Sequence, residues 1–336
     1  MRVRKIASVA LLLLLVGVAL AAVGWRVLVW APSPEVPALS GELVRGSLRL
    51  GDRQRSYEVY VPASREAHPA LVLALHGSMG NGEQMRGGSF YAVDELADRD
   101  GFVVAYPDGF EGHWNDCRRA APYSANTQDI DDVGFLRALT GRLESELGVD
   151  PSRVYATGIS NGGQMAYRLA LEAPDLVAAV APVAAGLPDD ANLDCTRAGR
   201  PVAILILNGT EDPMNPFAGG RVVFYGIWGD RGTVLSSDAS AAYWAELAGH
   251  RAPPRRHRYP ERSHDDDSWA EITTFRGGTG PEVAHLVVHG GGHTFPNPRW
   301  RYPLLLGVTN ADIDAASEIW DFFARQRRPA AAPPPG

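Results

Sequence analysis

A serine set between glycines, Gly158-Ile159-Ser160-Asn161-Gly162-Gly163, follows the apolar run Val154 to Gly158 and opens a helical pattern that ends at Ala173-Pro174. A serine at a strand-to-helix turn is suited to nucleophilic attack on an acyl carbon: the turn presents Oγ at the sheet edge, and the helix N-terminus favours developing negative charge. The flanking glycines are expected to permit the sharp turn. A helix-capping serine in a glycine-rich turn would explain the residue types, but the strand before and the helix after favour the nucleophile.

A serine alcohol needs a base, and the acyl transition state needs donors for its oxyanion. His289-Gly290-Gly291-Gly292-His293 closes the last apolar run, and three glycines carry His293 beyond it, so His293 is the candidate base while His289 continues the strand. Serine hydrolases with this turn run in the order serine, acid, histidine. That order directs the search for the acid to Asn208-Gly209-Thr210-Glu211-Asp212-Pro213, where composition leaves Glu211 and Asp212 nearly even, and either suits a turn before proline. The oxyanion donors are expected from the backbone N–H of Asn161 and, in Leu75-His76-Gly77-Ser78-Met79-Gly80-Asn81-Gly82, of Ser78, with Met79 as the neighbouring choice. His76 is read as a strand-end histidine. Metal hydrolysis is the competing chemistry, raised by the spacing of His289 and His293 and by His264-Asp265-Asp266-Asp267. Histidines four apart share a face only in a helix, which Gly290 to Gly292 oppose, and no glutamate follows the first histidine. No metal and no cofactor is expected.

These residues need a scaffold that presents strand ends at one edge. Ala70 to Leu75, Phe102 to Tyr106, Val154 to Gly158, Val177 to Val183, Val202 to Leu207 and Val283 to Val288 are short, nearly continuous apolar runs, the pattern of strands covered on both faces. Helical patterns lie between and after them, at Asp129 to Leu147, Ser160 to Glu172, Ser237 to Leu247 and Ile313 to Phe323. The alternation predicts an α/β fold with a mostly parallel central sheet and helices on both faces. Glu42 to Val61 alternates around Leu50-Gly51-Asp52 and predicts an antiparallel hairpin at the N-terminal end.

The chain of 336 residues can bury one large core and shows no internal repeat. Arg2, Arg4 and Lys5 precede an apolar run from Ile6 to Val23, so residues 1–30 are read as a signal peptide or an uncleaved signal anchor, either of which exports the rest of the chain. A Pro-rich linker (31–40), one catalytic domain (41–325) and a disordered Pro-rich tail (326–336) complete the expected order. The membrane is thus a partner if the segment stays. With 39 acidic against 32 basic residues the chain has no broad positive field, and nucleic acid is not expected as a partner. In an oxidising compartment Cys117 and Cys195 can pair, and two separate buried thiols remain the alternative.

With these motifs in view, the chain from about Gly41 to Phe323 resembles the poly(3-hydroxybutyrate) depolymerase-like α/β-hydrolases, relatives of the feruloyl and acetylxylan esterases of carbohydrate esterase family one. The likeness rests on the segments around His76, Ser160, Asp212 and His293, together with Asp131-Asp132-Val133-Gly134-Phe135-Leu136 and Asp312-Ile313-Asp314-Ala315. It implies the α/β-hydrolase fold and a serine esterase with Ser160 as nucleophile, His293 as base and Asp212, rather than Glu211, as acid. Relatives commonly carry Trp where this chain has Phe295, and Cys117 interrupts the usual run after Trp114-Asn115. Trp114, Trp228 and Phe295 fall in predicted loops and are candidates for an apolar substrate wall. The substrate class implied is a small ester, an oligomer of hydroxybutyrate or an esterified polysaccharide; soluble esters are expected to be preferred to solid polymer because only a short linker and a short tail flank the one catalytic domain. A membrane-tethered binding protein on an inactive hydrolase scaffold is the alternative of another class.

Overall fold

In the computed structural model, which describes residues 2–227, 229–264 and 266–328, ten strands form a single mixed sheet. The chain begins with helix α1 (Arg2–Gly24) and a π-helical turn, Trp25–Val29, and residues 31–40 carry no regular structure. Leu13, Leu14, Leu15, Val18, Leu20 and Val23 on α1 are exposed. Among the described residues no helix is long and apolar enough to cross a membrane.

Strands β1 (Glu42–Leu50) and β2 (Arg53–Val61) form the expected antiparallel hairpin, turning at Gly51 with φ 59°. After β3 (Leu71–Leu75) come α2 (Gly82–Gly88), α3 (Ala92–Asp100), β4 (Val103–Pro107), α4 (Ser124–Thr127), α5 (Asp132–Leu147), β5 (Val154–Ile159), α6 (Asn161–Glu172), β6 (Ala179–Val183) and β7 (Ala203–Gly209). A two-strand ribbon, β8 (Gly220–Arg221) with β9 (Thr233–Val234), precedes α7 (Ser237–Leu247), β10 (Ala252–Arg258), β11 (Trp269–Arg276), β12 (Val283–His289) and α8 (Ala315–Ala324). The order across the sheet is β1-β2-β4-β3-β5-β6-β7-β12-β11-β10, with β4 through β12 parallel and the strands outside them antiparallel.

Side chains alternate across a strand, so β3 sends Leu71, Leu73 and Leu75 to one face and Val72 and Ala74 to the other. The first face is covered by Phe135, Leu136 and Leu139 of α5, Met165 and Leu169 of α6 and Trp244 of α7. The second is covered by Val93 and Leu96 of α3 and by Ile319, Trp320 and Phe323 of α8. Two packed faces leave only the strand ends free to present polar groups, and the carboxyl ends of β3, β5, β7 and β12 carry the loops of interest.

The sequence did not announce β10 and β11. Ala252-Pro253-Pro254-Arg255-Arg256-His257-Arg258 has two prolines and no apolar alternation, and every residue of it is exposed. It is an edge strand, which pairs on one side only, and the prolines sit where the register shifts between Ala252 and Arg255. Gln326–Arg328, assigned by composition to the tail, are held to the body: Tyr155 donates to the Gln326 carbonyl at 2.7 Å and Arg327 pairs with Asp150 at 2.9 Å. Residues 329–336 lie outside the described residues.

Candidate active site

Ser160 stands between β5 and α6 with φ 57° and ψ −118°, a left-handed conformation unusual for a residue with a side chain. The strain falls on the serine itself. Gly158 and Gly162 have no positive φ; they are small because strand, helix and neighbouring strand meet there. A Cβ at Gly162 would run into the Leu75 carbonyl oxygen, and one at Gly158 would stand 2.6 Å from the Gly162 carbonyl carbon. The turn is thereby pressed against the end of β3, where a Cβ on Gly77 would lie 3.5 Å from the Ser160 Cβ. The Ser160 N–H donates to the Val183 carbonyl at 2.9 Å, which ties the turn to β6.

Asp212 and His293 come together from loops that follow adjacent strands, β7 and β12. The glycines of both loops touch: a Cβ on Gly209 would meet the Gly291 carbonyl, and one on Gly292 the Leu306 carbonyl. The His293 Nδ1–H donates to Asp212 Oδ2 at 2.7 Å. Asp212 Oδ1 accepts from the N–H groups of Met214 (2.7 Å) and Asn215 (2.8 Å), so three donors aim the carboxylate. With Nδ1 carrying the proton, Nε2 is left as an acceptor. Glu211 is exposed, and only its backbone joins the framework, donating to the Gly291 carbonyl at 2.9 Å.

Ser160 and His293 line one cavity of about 370 Å³, with Gly77, Ser78 and Met79 on one side and Met214, Val222, Phe224 and Leu306 supplying apolar wall. Asn161, the first residue of α6, is buried; its side chain accepts from the Trp114 N–H at 2.8 Å and donates to Asp116 at 2.6 Å. The first N–H groups of a helix have no intrahelical acceptor, so the Asn161 N–H stands beside Ser160 as an available donor. Met79 has φ 61°, and the loop from Gly77 to Met79 faces the same cavity.

The aromatic expectations need correction. Trp114 is fully buried, its indole N–H donating to the His76 carbonyl at 3.0 Å, so it supports the floor beneath the loop and offers substrate nothing. Phe295 is 1% exposed and packs in the core between the sheet and α8. Loops that cross the end of a sheet need apolar anchors, and these two side chains turn inward to provide them. Trp228 lies outside the described residues. Cys117 and Cys195 are joined by a disulfide.

The other histidines have framework partners. His76 donates from Nδ1 to the Gly77 carbonyl (2.7 Å) and accepts the Gly109 N–H at Nε2 (2.8 Å); burial lowers its pKa to about 4. His289 stacks on Trp269 at 3.7 Å. His285 lies 2.7 Å from the Ser237 hydroxyl and 3.6 Å from Asp238, a second serine–histidine–aspartate grouping. Ser237 and His285 are both buried, and the Ser237 hydroxyl donates to Asn208 Oδ1, which spends its proton on the framework. Sequence reasoning passed over Asp116, Arg118, Tyr123 and Arg231. Arg118 and Asp116 form a buried pair at 2.5 Å, and Arg118, Tyr123 and Arg231 line the cavity. Nothing in their spacing distinguishes them from surface charges; only the fold turns them inward.

A mixed sheet with a parallel centre, helices on both faces and a strained serine at the carboxyl end of β5 defines an α/β-hydrolase. Residues 55–192 match the family model described as Esterase PHB depolymerase. "Putative esterase NocK" of Nocardia uniformis subsp. tsuyamanensis is 31% identical over 306 residues, 88% of this chain and 86% of that protein. Feruloyl esterase B of Piromyces equi is 29% identical over 224 residues, 66% of this chain but 39% of that longer protein. The solved acetyl xylan esterase from Aspergillus awamori shares the fold, with TM-score 0.55 and 20% identity over 84% of this chain and 99% of that one. The chain belongs to the PHB depolymerase family of esterases, and it is a carboxylic ester hydrolase.

Proposed function

We propose that the protein is an exported serine esterase in which Ser160, His293 and Asp212 act as nucleophile, base and orienting acid. The observation that carries this reading is the 2.7 Å bond from His293 Nδ1 to Asp212, which makes Nε2 the acceptor of a ring that lines the same cavity as the strained Ser160. In the mechanism, His293 takes the Ser160 proton as Oγ attacks the ester carbonyl. The N–H groups of Asn161 and Ser78 receive the oxyanion, and the imidazolium then protonates the departing alcohol. Water attacks the acyl-enzyme by the same route in reverse. A fluorophosphonate probe, followed by peptide mapping, tests the assignment: labelling at Ser160 that is lost in Ser160→Ala supports it, and labelling elsewhere overturns it.

The substrates proposed are short soluble esters, with hydroxybutyrate oligomers as the first class and feruloyl or acetyl esters of sugars as the second. The cavity, at about 370 Å³, is at the small end of ligand sites. A panel of p-nitrophenyl esters, methyl ferulate, acetylated xylan and solid polyhydroxybutyrate ranks them; clearing of solid polymer without soluble-ester turnover would reverse the order. Export rests on Arg2, Arg4 and Lys5 before the apolar α1, whose side chains from Leu13 onward are exposed and without a core to cover them. In this arrangement residues 1–30 direct or anchor the chain, 31–40 form a linker and the catalytic domain lies outside the cytoplasm. Protease added to cells with any outer barrier opened should digest it.

A further inference from the structure

The wall of the cavity beside Ser78 carries two arginines whose electrostatic situations differ. Arg118 is buried and makes a forked contact with Asp116 through Nε (3.1 Å) and Nη2 (2.5 Å), so its charge is matched. Arg231 is half-buried; its Nε donates to the Tyr123 hydroxyl and its Nη1 to the Gly229 carbonyl at 2.6 Å. Among the described residues no carboxylate lies within salt-bridge reach of Arg231: the adjacent Asp230 is turned to Arg221, and Asp212 is committed to His293. The cavity lining contains both arginines and no Asp or Glu. A cation without a counter-charge, on a wall that carries hydroxyl groups and no carboxylate, favours an anionic ligand.

The arginine is also held in place. Its backbone N–H donates to the Val222 carbonyl at 3.0 Å, the Val222 N–H donates to the Gly232 carbonyl at 2.8 Å, and buried Asn192 donates to the Arg231 carbonyl at 2.9 Å. Tyr123, which receives Nε, stacks on His113 at 4.2 Å and meets the Ser78 hydroxyl at 2.8 Å. Whichever of those two hydroxyls donates to the other, one O–H remains available to a ligand. Arg231 and the Ser78–Tyr123 hydroxyl pair thus offer charge and a hydrogen-bond donor in the cavity that holds Ser160.

We propose that this wall selects esters that carry a free carboxylate, as the acid end of a short hydroxyalkanoate oligomer does, and that Arg231 is the residue that determines the preference. The inference rests on the cavity being the ester-hydrolysing site, and it narrows the substrate class assigned there. The carboxylate docks on Arg231 while the ester carbonyl lies at Ser160, so charge recognition positions the bond to be cleaved. A neutral ester of the same length forgoes this contact, and a long solid polymer presents few such ends.

The test compares the hydroxybutyrate dimer acid with its methyl ester, measured at the shared internal ester bond. The wild-type enzyme should favour the acid by about tenfold or more in kcat/KM, carried mainly by KM, and the preference should shrink as salt rises from 20 to 500 mM by screening. Arg231→Gln should bring the ratio of acid to methyl ester to about one, and Arg231→Glu should invert it. Arg231→Lys should restore part of the preference. A purely structural arginine would change both substrates alike and leave the ratio where it was, and that result overturns the proposal. If the variants do not fold, inhibition of wild-type enzyme decides: butyrate should compete more strongly than butyramide, in a salt-sensitive way, and equal inhibition is again fatal. Turnover of the methyl ester without preference for the acid would defeat this inference alone. Absence of any Ser160-dependent turnover would defeat the site assignment beneath it.

Discussion

The side-chain amide of Asn161 donates to Asp116 Oδ2 at 2.6 Å, and the same carboxylate is the counter-ion of buried Arg118. The residue following Ser160 is therefore fastened to the cavity wall by a buried charge pair. Asp116→Ala should strand Arg118 without a partner and lower stability by roughly 3–5 kcal/mol, with kcat falling about tenfold or more as the Asn161 N–H loses its alignment. Urea denaturation and steady-state kinetics check both. The exposed pair Arg119–Asp194 is the contrast, and Asp194→Ala should change stability by less than about 1 kcal/mol.

The acid assignment makes a sharp comparison between neighbours. Asp212 is buried with three donors on its carboxylate, whereas Glu211 points to solvent. Ser160→Ala and His293→Ala should each lower kcat by about ten-thousandfold or more, and Asp212→Asn by about a hundredfold or more, through loss of the Nδ1–H orientation. Glu211→Ala should stay within about twofold of wild type. A larger loss in the Glu211 variant than in the Asp212 variant would reassign the acid.

Two glycine-to-alanine changes should have opposite signs. Gly162 abuts the Leu75 carbonyl, so Gly162→Ala forces β3 and α6 apart and should abolish soluble expression or lower Tm steeply. Gly141, exposed in α5 with open space around it, should accept Ala with a gain of about 0.5–1 kcal/mol from helix propensity. Thermal melts of the two variants beside wild type read the difference.

Acid should destabilise the fold through its buried histidines. Burial lowers His76 and His285 to about 4, whereas an unfolded histidine titrates near 6.5. For a base with a depressed folded pKa, the unfolded chain binds the proton first. Stability is therefore fully present above about pH 6.5 and is lost as pH falls from there toward 4, by up to about 3 kcal/mol for each histidine. Urea midpoints at pH 7.5, 5.5 and 4.5 should fall in that order, and His285→Asn should flatten the slope.

The disulfide Cys117–Cys195 spans 78 residues and closes a loop that contains Ser160. On the loop-entropy model its removal should cost roughly 4–5 kcal/mol. A double Cys→Ser variant should therefore unfold at lower urea, and reduction of the native protein should do the same. Because Cys117 lies between Asp116 and Arg118, turnover should fall together with stability.

Local sequence was sufficient to name the candidate residues along the chain. The apolar runs that end at Leu75, Gly158, Leu207 and Val288 marked the buried strands, because a strand covered on both faces must be apolar at every position. The residues just past those runs were consequently the candidates, and Ser160 and His293 emerged from the residues and their setting. Composition left Glu211 and Asp212 even, and only resemblance ordered them. Tertiary structure separates the two by burial: the β7 and β12 loops touch glycine to glycine and bring Asp212 to within 2.7 Å of His293. Short-range patterns record which residues prefer strand, helix or turn, and carry no record of which loops meet. For that reason Trp114 and Phe295 looked like loop aromatics and are core, whereas Arg118 and Arg231, which no local pattern singled out, line the cavity. Side-chain direction at a loop is decided by the surfaces that close over it, and those surfaces exist only once distant strands have paired.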